Sequence, residues 1–140
     1  MAASKKNIRV LLAQFPLETH TKGLLTVAAM LRDAGMQVIL MGNARPQEIA
    51  RAAMEEDVDA VGISSYCGGE VVLAEKLMEA AEAEGVKERA AFFLGGIFAP
   101  QNANRLRKMG FAAVFPPSSP GDVIVGRIKR GVAARRKPAG

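Results

Sequence analysis

A chain of 140 residues with 49% hydrophobic content is one domain by length and carries enough apolar surface for a single buried core. Its one cysteine, Cys67, excludes an internal disulfide and any cysteine-based zinc site, and no apolar run approaches the length of a membrane span. The formal charge of +5 sits at the two ends: residues 1–9 hold three basic side chains and 127–137 hold six, while the stretch between has ten basic residues against all fourteen acids.

The opening residues, MAASKKNIRV, lack the apolar segment of a signal peptide, so the expected location is cytoplasmic. Arg127, Lys129, Arg130, Arg135, Arg136 and Lys137 read as a solvated last helix with a basic tail at 133–140. The run also has the charge to touch an acidic partner, but a membrane is not expected and a nucleic acid is not the partner favoured. With no tryptophan and one tyrosine, the composition suits helices packed on a sheet better than a β-sandwich.

In chain order, the first strand is IRVLLAQF (8–15), and the loop 15–22 after it holds the lone histidine. Leu24, Val27, Ala28 and Leu31 then recur at helical spacing, and DAGMQV ends that helix at a glycine. QVILM (37–41) is the second strand, and Pro46 opens a helix over 46–56. AVGISS (60–65) is the third strand, followed by the loop 64–70 with SSYCGGE and a helix carrying Leu73, Leu77 and Ala81. EAEGVK ends it, and AFFLGG (91–96) is the fourth strand, leading into GGIFAPQ at 95–101. Ala103, Leu106 and Gly110 mark the next helix, ended by RKMGFA, and AAVF (112–115) is the fifth strand. The loop at 116–120, within PPSSPG, precedes a closing helix with Ile124, Ile128 and Val132.

The strands are near-continuous apolar runs, as expected for parallel strands covered on both faces. Their strict alternation with helices predicts an α/β fold: an open, doubly wound, five-stranded parallel sheet of Rossmann type. Right-handed crossovers favour the flavodoxin-like order 2-1-3-4-5 over a core of about 7–132. Ligands of such sheets bind at the carboxyl ends of the strands, where strands 1 and 3 diverge. The histidine, both glycine pairs and the proline turn all fall at that edge.

His20 is the first candidate there. Glu18 lies two residues earlier, and in an extended segment such residues point to the same side. A carboxylate that accepts from Nδ1–H leaves Nε2 oriented and more basic, the arrangement found behind metal-bound histidines. With no second histidine and no cysteine nearby, a single imidazole suits a metal that arrives already chelated, in a macrocycle. Gly68-Gly69 and Gly95-Gly96 each follow a strand and let a bulky ligand lie close to the sheet edge, although tight turns alone explain either pair. Ser64 and Ser65 either hydrogen-bond that ligand or cap the next helix. Phe115 and Pro116 bound the same edge at the end of the fifth strand. Cys67 reads as a small packing residue.

Other ligands of this architecture fit less well. A phosphoacceptor receiver needs an aspartate after the third strand, where this chain has serines. No GxGxxG follows a strand. Thr19, Thr21 and Lys22 give only a faint version of a flavin mononucleotide phosphate loop.

Three linked motifs carry a resemblance. Glu18-x-His20-x-x-Gly23, Ser64-x-Tyr66 and Gly95-Gly96 resemble the Asp-x-His-x-x-Gly, Ser-x-Leu and Gly-Gly of the cobalamin-binding domain of adenosylcobalamin-dependent mutases, of the methylmalonyl-CoA mutase type. The resemblance runs from about Asn7 to Val132 and includes LRDAGMQVI, EEDVDAVGIS and KMGFAAVF. Glu18 stands for the family aspartate, Gln14 for a lysine, Pro16 and Thr19 for loop glycines, and Tyr66 for leucine. FPPSSP and GGE resemble the small subunit of glutamate mutase.

The resemblance implies that His20 is the lower cobalt ligand in place of dimethylbenzimidazole. It further implies that Glu18, Thr19, Thr21, Gly23, Ser64, Tyr66, Gly68, Gly95, Gly96, Phe115 and Pro116 line the cofactor site, with the displaced nucleotide tail beside Ser64, Gly95 and Gly96. The implied protein is the small, cobalamin-binding subunit of a carbon-skeleton isomerase of acyl-CoA type, with adenosylcobalamin as cofactor and no catalytic residue of its own. Its partner is a larger catalytic barrel that binds an acyl-CoA or amino-acid substrate, and Phe15, Leu17, Phe98 and Pro117 are the residues expected to meet it. The alternatives are a stand-alone cobalamin carrier or sensor and a corrinoid methyl-transfer protein. The last kind carries a helical cap before the domain, whereas about seven residues precede the first strand here.

Overall fold

The computed structural model describes residues 7–66 and 68–136, so Cys67 and the tail at 137–140 lie outside the described residues. Strands β1 (Arg9–Gln14), β2 (Gln37–Asn43), β3 (Ala60–Ser65), β4 (Ala91–Gly96) and β5 (Phe111–Phe115) alternate with helices α1 (Lys22–Asp33), α2 (Pro46–Glu55), α3 (Glu70–Glu84), α4 (Pro100–Met109) and α5 (Gly121–Arg136). The strands form one parallel sheet in the order β2-β1-β3-β4-β5. The flavodoxin-like order expected from the alternation is the one observed.

Each face of the sheet has its own core, because helices on a parallel sheet must pack on both sides. On one face Ile49, Ala53, Leu77, Ala81 and Leu106 of α2, α3 and α4 meet Leu11, Val61, Phe92 and Leu94. On the other, Leu24, Ala28 and Leu31 of α1 and Ile124, Ile128 and Val132 of α5 meet Val10, Leu12, Phe93 and Phe115. The helical spacings read from the sequence are those whose side chains are buried, with Val27 and Leu73 half-buried at the margins. The three glycines expected to end helices, at 35, 85 and 110, have positive φ.

One reading needs correction. β2 is not covered on both faces: none of its residues is fully buried, because it is the edge strand beyond β1. Its apolar run could not reveal this, since edge position is a property of the topology. The last helix is solvated as expected, with Arg127, Lys129, Arg130 and Arg136 exposed, and its end is tied to the body by Arg135 with Glu88 at 3.7 Å and Arg136 with Asp59 at 3.0 Å. Of the expected tail, 133–136 is the last turn of α5.

Candidate functional site

At the carboxyl end of β1 the chain turns sharply through Phe15, Pro16, Leu17 and Glu18. Proline fixes the first central residue, Leu17 follows at φ 72°, and the Glu18 N–H donates to the Phe15 carbonyl at 3.2 Å, the arrangement of a type II turn. The turn drives Glu18 inward, where it is 4% exposed. A buried carboxylate must be satisfied by donors, and here they come from two loops. His20 donates its backbone N–H at 3.1 Å and meets the same oxygen through Nδ1 at 2.7 Å. The Tyr66 backbone N–H donates to the other oxygen at 2.5 Å. Because Nδ1 faces a carboxylate, the neutral ring carries its proton there and keeps the Nε2 lone pair for an outside partner. The His20 side chain is 62% exposed, whereas that of Glu18 beneath it is buried.

Gln14 closes the loop from below. It is almost wholly buried, and its Nε2 donates to the His20 carbonyl at 2.8 Å. Beside the histidine lies Tyr66, with ring centroids 5.6 Å apart and planes tilted by 40°. Its hydroxyl spans to the start of α1, where a side chain at Gly23 would meet it at 3.7 Å.

A cavity of about 700 Å³ runs from this point between the sheet and helices α1 and α5. Thr19, His20, Thr21, Gly23 and Tyr66 stand at it, as do Ser64, Gly95, Gly96, Phe115 and Pro116. Ten of the expected site residues are therefore gathered on one cavity. The other two are not on its wall: Glu18 lies under the histidine, and Gly68 is exposed with open space around its Cα. Ser65 is buried away from the cavity, and neither serine caps α3, whose N-cap is Gly69 at φ 72°.

Sequence reasoning missed the cavity floor. Leu12, Val27, Met30, Phe93, Ile124 and Ile128 line it. Their helical and strand spacing announced a core, and nothing in a spacing distinguishes a filled core from one left open. Phe15, expected at a partner surface, is 2% exposed and belongs to the core on the face covered by α2, α3 and α4, a correction that follows from the turn burying it. Phe98 is half-buried against the same core, while Leu17 (88% exposed) and Pro117 do face outward.

The arrangement offers one oriented imidazole nitrogen at the mouth of a deep apolar cleft. Among the described residues no group of three or more His, Cys, Asp or Glu side chains could hold a metal ion. A metal bound here would bring its other ligands with it.

A B12 binding domain model matches residues 8–120. The chain belongs to the B12-binding domain family. Its relatives include the 2-hydroxyisobutanoyl-CoA mutase small subunit of Aquincola tertiaricarbonis, 36% identical over 91% of this chain and 94% of that protein. The pivalyl-CoA mutase small subunit of Xanthobacter autotrophicus is 36% identical over 88% of this chain and 82% of its own. The Escherichia coli methylmalonyl-CoA mutase is 34% identical over 86% of this chain, which spans 17% of that longer protein. Among solved structures, a cobalamin-binding protein from Desulfitobacterium hafniense superposes with a TM-score of 0.76 at 20% identity, over 90% of this chain and 59% of that one. A Vibrio cholerae chemotaxis protein superposes at 0.70 with 12% identity, over 90% of this chain and 99% of that one. At these identities the superpositions speak of fold alone. The B12-binding domain described here ends β3 in Ser64 and Ser65.

Proposed function

We propose that this B12-binding domain is the small subunit of an adenosylcobalamin-dependent acyl-CoA mutase, with His20 as the lower cobalt ligand. The observation that carries the reading is the imidazole itself: Nδ1 tied to buried Glu18 at 2.7 Å, Nε2 turned outward at the mouth of an apolar cavity. The two small-subunit relatives, matched over most of their own length, supply the acyl-CoA class.

The residues fit such a cofactor. A cleft of about 700 Å³ lies within the usual range for small-molecule sites and suits the displaced nucleotide tail. Gly95 keeps its upper wall low, because a Cβ there would only touch Phe115 at 3.7 Å and the space it would fill is left to a ligand. Ser64, buried near the end of β3 but on the cavity wall, offers the tail a hydroxyl. When bound, the cofactor supplies the radical chemistry of the rearrangement, and the protein supplies ligation and orientation. Glu18 holds the ring in one tautomer and one orientation, with Nε2 left for the metal. Gln14 and the Phe15–Glu18 turn hold the loop that carries both. A larger catalytic subunit would bind the substrate and enclose the cofactor.

The test is electron-spin resonance of cob(II)alamin bound to protein carrying nitrogen-15 histidine. Superhyperfine coupling to the labelled nitrogen is the expected result. Coupling only to the cofactor's own base rejects His20 as the ligand.

A further inference from the structure

The sequence MGNA at the end of β2 contains a device that the function above does not use. Leu12 pairs with Leu40 but the next residue of β1, Ala13, pairs with Gly42, so Met41 is an extra residue in the ladder. Gly42 takes φ 84°, a left-handed value that glycine adopts without penalty. Together they form a β-bulge, and a bulge re-aims the side chains beyond it. A one-residue slip in a strand exchanges the faces to which its side chains point. Here the residue re-aimed is Asn43, in register with Gln14.

The Asn43 amide nitrogen donates to the Phe15 carbonyl at 3.0 Å and to the Glu18 carbonyl at 2.7 Å. Those two carbonyls bracket the type II turn on which Leu17 sits at positive φ. An amide group has two N–H donors, and both are spent on this turn. Neither a carboxylate nor an alkyl side chain can make this clamp. Glu18 in turn receives His20 and Tyr66, so the clamp lies one step behind the contacts that orient the imidazole.

We infer that Asn43 is a positioning residue, which holds the histidine loop in its working shape before any ligand arrives. The role deepens the cobalamin reading and borrows its purpose from it, but the geometry belongs to the protein alone. Asn43 is exposed on an edge strand, so its replacement leaves the cores untouched.

Asn43→Ala and the isosteric Asn43→Asp are compared with the wild type as nitrogen-15-labelled, cofactor-free protein, with circular dichroism to verify the fold. The His20 and Tyr66 amides, both donors to Glu18, are expected to exchange with solvent about tenfold faster in both variants. Amides within β3 and β4 keep their wild-type protection, and the imidazole nitrogen shifts move toward those of a free ring. Affinity for cob(II)alamin then falls roughly tenfold, the lower end of the range for groups behind a metal-bound histidine. Unchanged exchange at His20 and Tyr66 together with unchanged imidazole shifts in Asn43→Ala overturns the inference. These readouts are taken without cobalamin, so the two ideas fail separately. A wild-type protein that binds no cobalamin rejects the proposed function and leaves the loop clamp standing.

Discussion

Gly95 and Gly96 are neighbours in the chain but answer to different demands. A Cβ at Gly96 would lie 1.8 Å from the Ser65 carbonyl oxygen, with φ at 153°, so the end of β4 can approach β3 only without a side chain. At Gly95 the same atom would rest in ordinary contact with Phe115. Gly96→Ala is therefore expected to destabilise by at least about 3 kcal/mol, read from urea unfolding, since rigid backbone cannot yield as a side chain can. Gly95→Val is expected to fold and to bind cobalamin more weakly, measured by spectral titration. Unchanged affinity in the folded variant argues against a tail beside Gly95. Tyr66→Leu is the companion: removing the phenol that reaches toward Gly23 widens the mouth, and cobalamin should bind more tightly. The pairing of Glu18 with His20 was legible because i and i+2 share a side in an extended loop. The work of Gln14 and Asn43 was not, because their partners are backbone carbonyls brought near by a turn and a bulge.

Between elements, the two faces of the sheet differ in how completely they are filled. Leu106 is fully buried under α4, far from the cavity, whereas Ile128 of α5 is buried and also lines its floor. Leu106→Ala is expected to cost about 3 kcal/mol with cobalamin affinity unchanged. Ile128→Ala should cost nearer 2 kcal/mol, because its surroundings are already partly open, and it should alter affinity. Equal effects on binding would contradict a ligand between α5 and the sheet. At the start of α2, Glu48 accepts a hydrogen bond from the Arg45 N–H at 2.8 Å. That bond, with the Arg45 guanidinium, holds its pKa below the ordinary 4.5. A lowered carboxylate pKa adds stability above the unfolded value and loses it as pH falls through the folded one. The stability difference between wild type and Glu48→Gln should thus shrink as pH drops below about 4.5, followed by thermal unfolding. Helix spans were legible throughout, since apolar spacing and terminal glycines act locally. The exposure of β2 and its bulge were not, because pairing partners decide both.

Across the whole molecule, the ion pairs of Arg136 with Asp59 and Arg9 with Glu56 lie at the amino ends of the strands, opposite the histidine. The carboxyl edge instead presents exposed apolar side chains, Leu17 and Ile97 among them, beside His20. On the proposed function, a sheet of this size would meet a cofactor from one side and leave its other side open to water. Radical chemistry needs a site that excludes competing reactions. Among the described residues the cavity lining holds one imidazole, already engaged with Glu18, and no acidic pair, so those residues give general acid–base catalysis little to draw on. The purified protein with adenosylcobalamin is therefore expected to isomerise no acyl-CoA by itself, and to do so once a large catalytic subunit is added. Leu17→Asp, which places a charge on the exposed apolar edge without touching a core, should weaken that association while leaving cobalamin binding intact. Assays of isomerisation with and without the large subunit, beside sedimentation of the mixture, measure both effects. Turnover by the small protein alone would overturn the subunit reading.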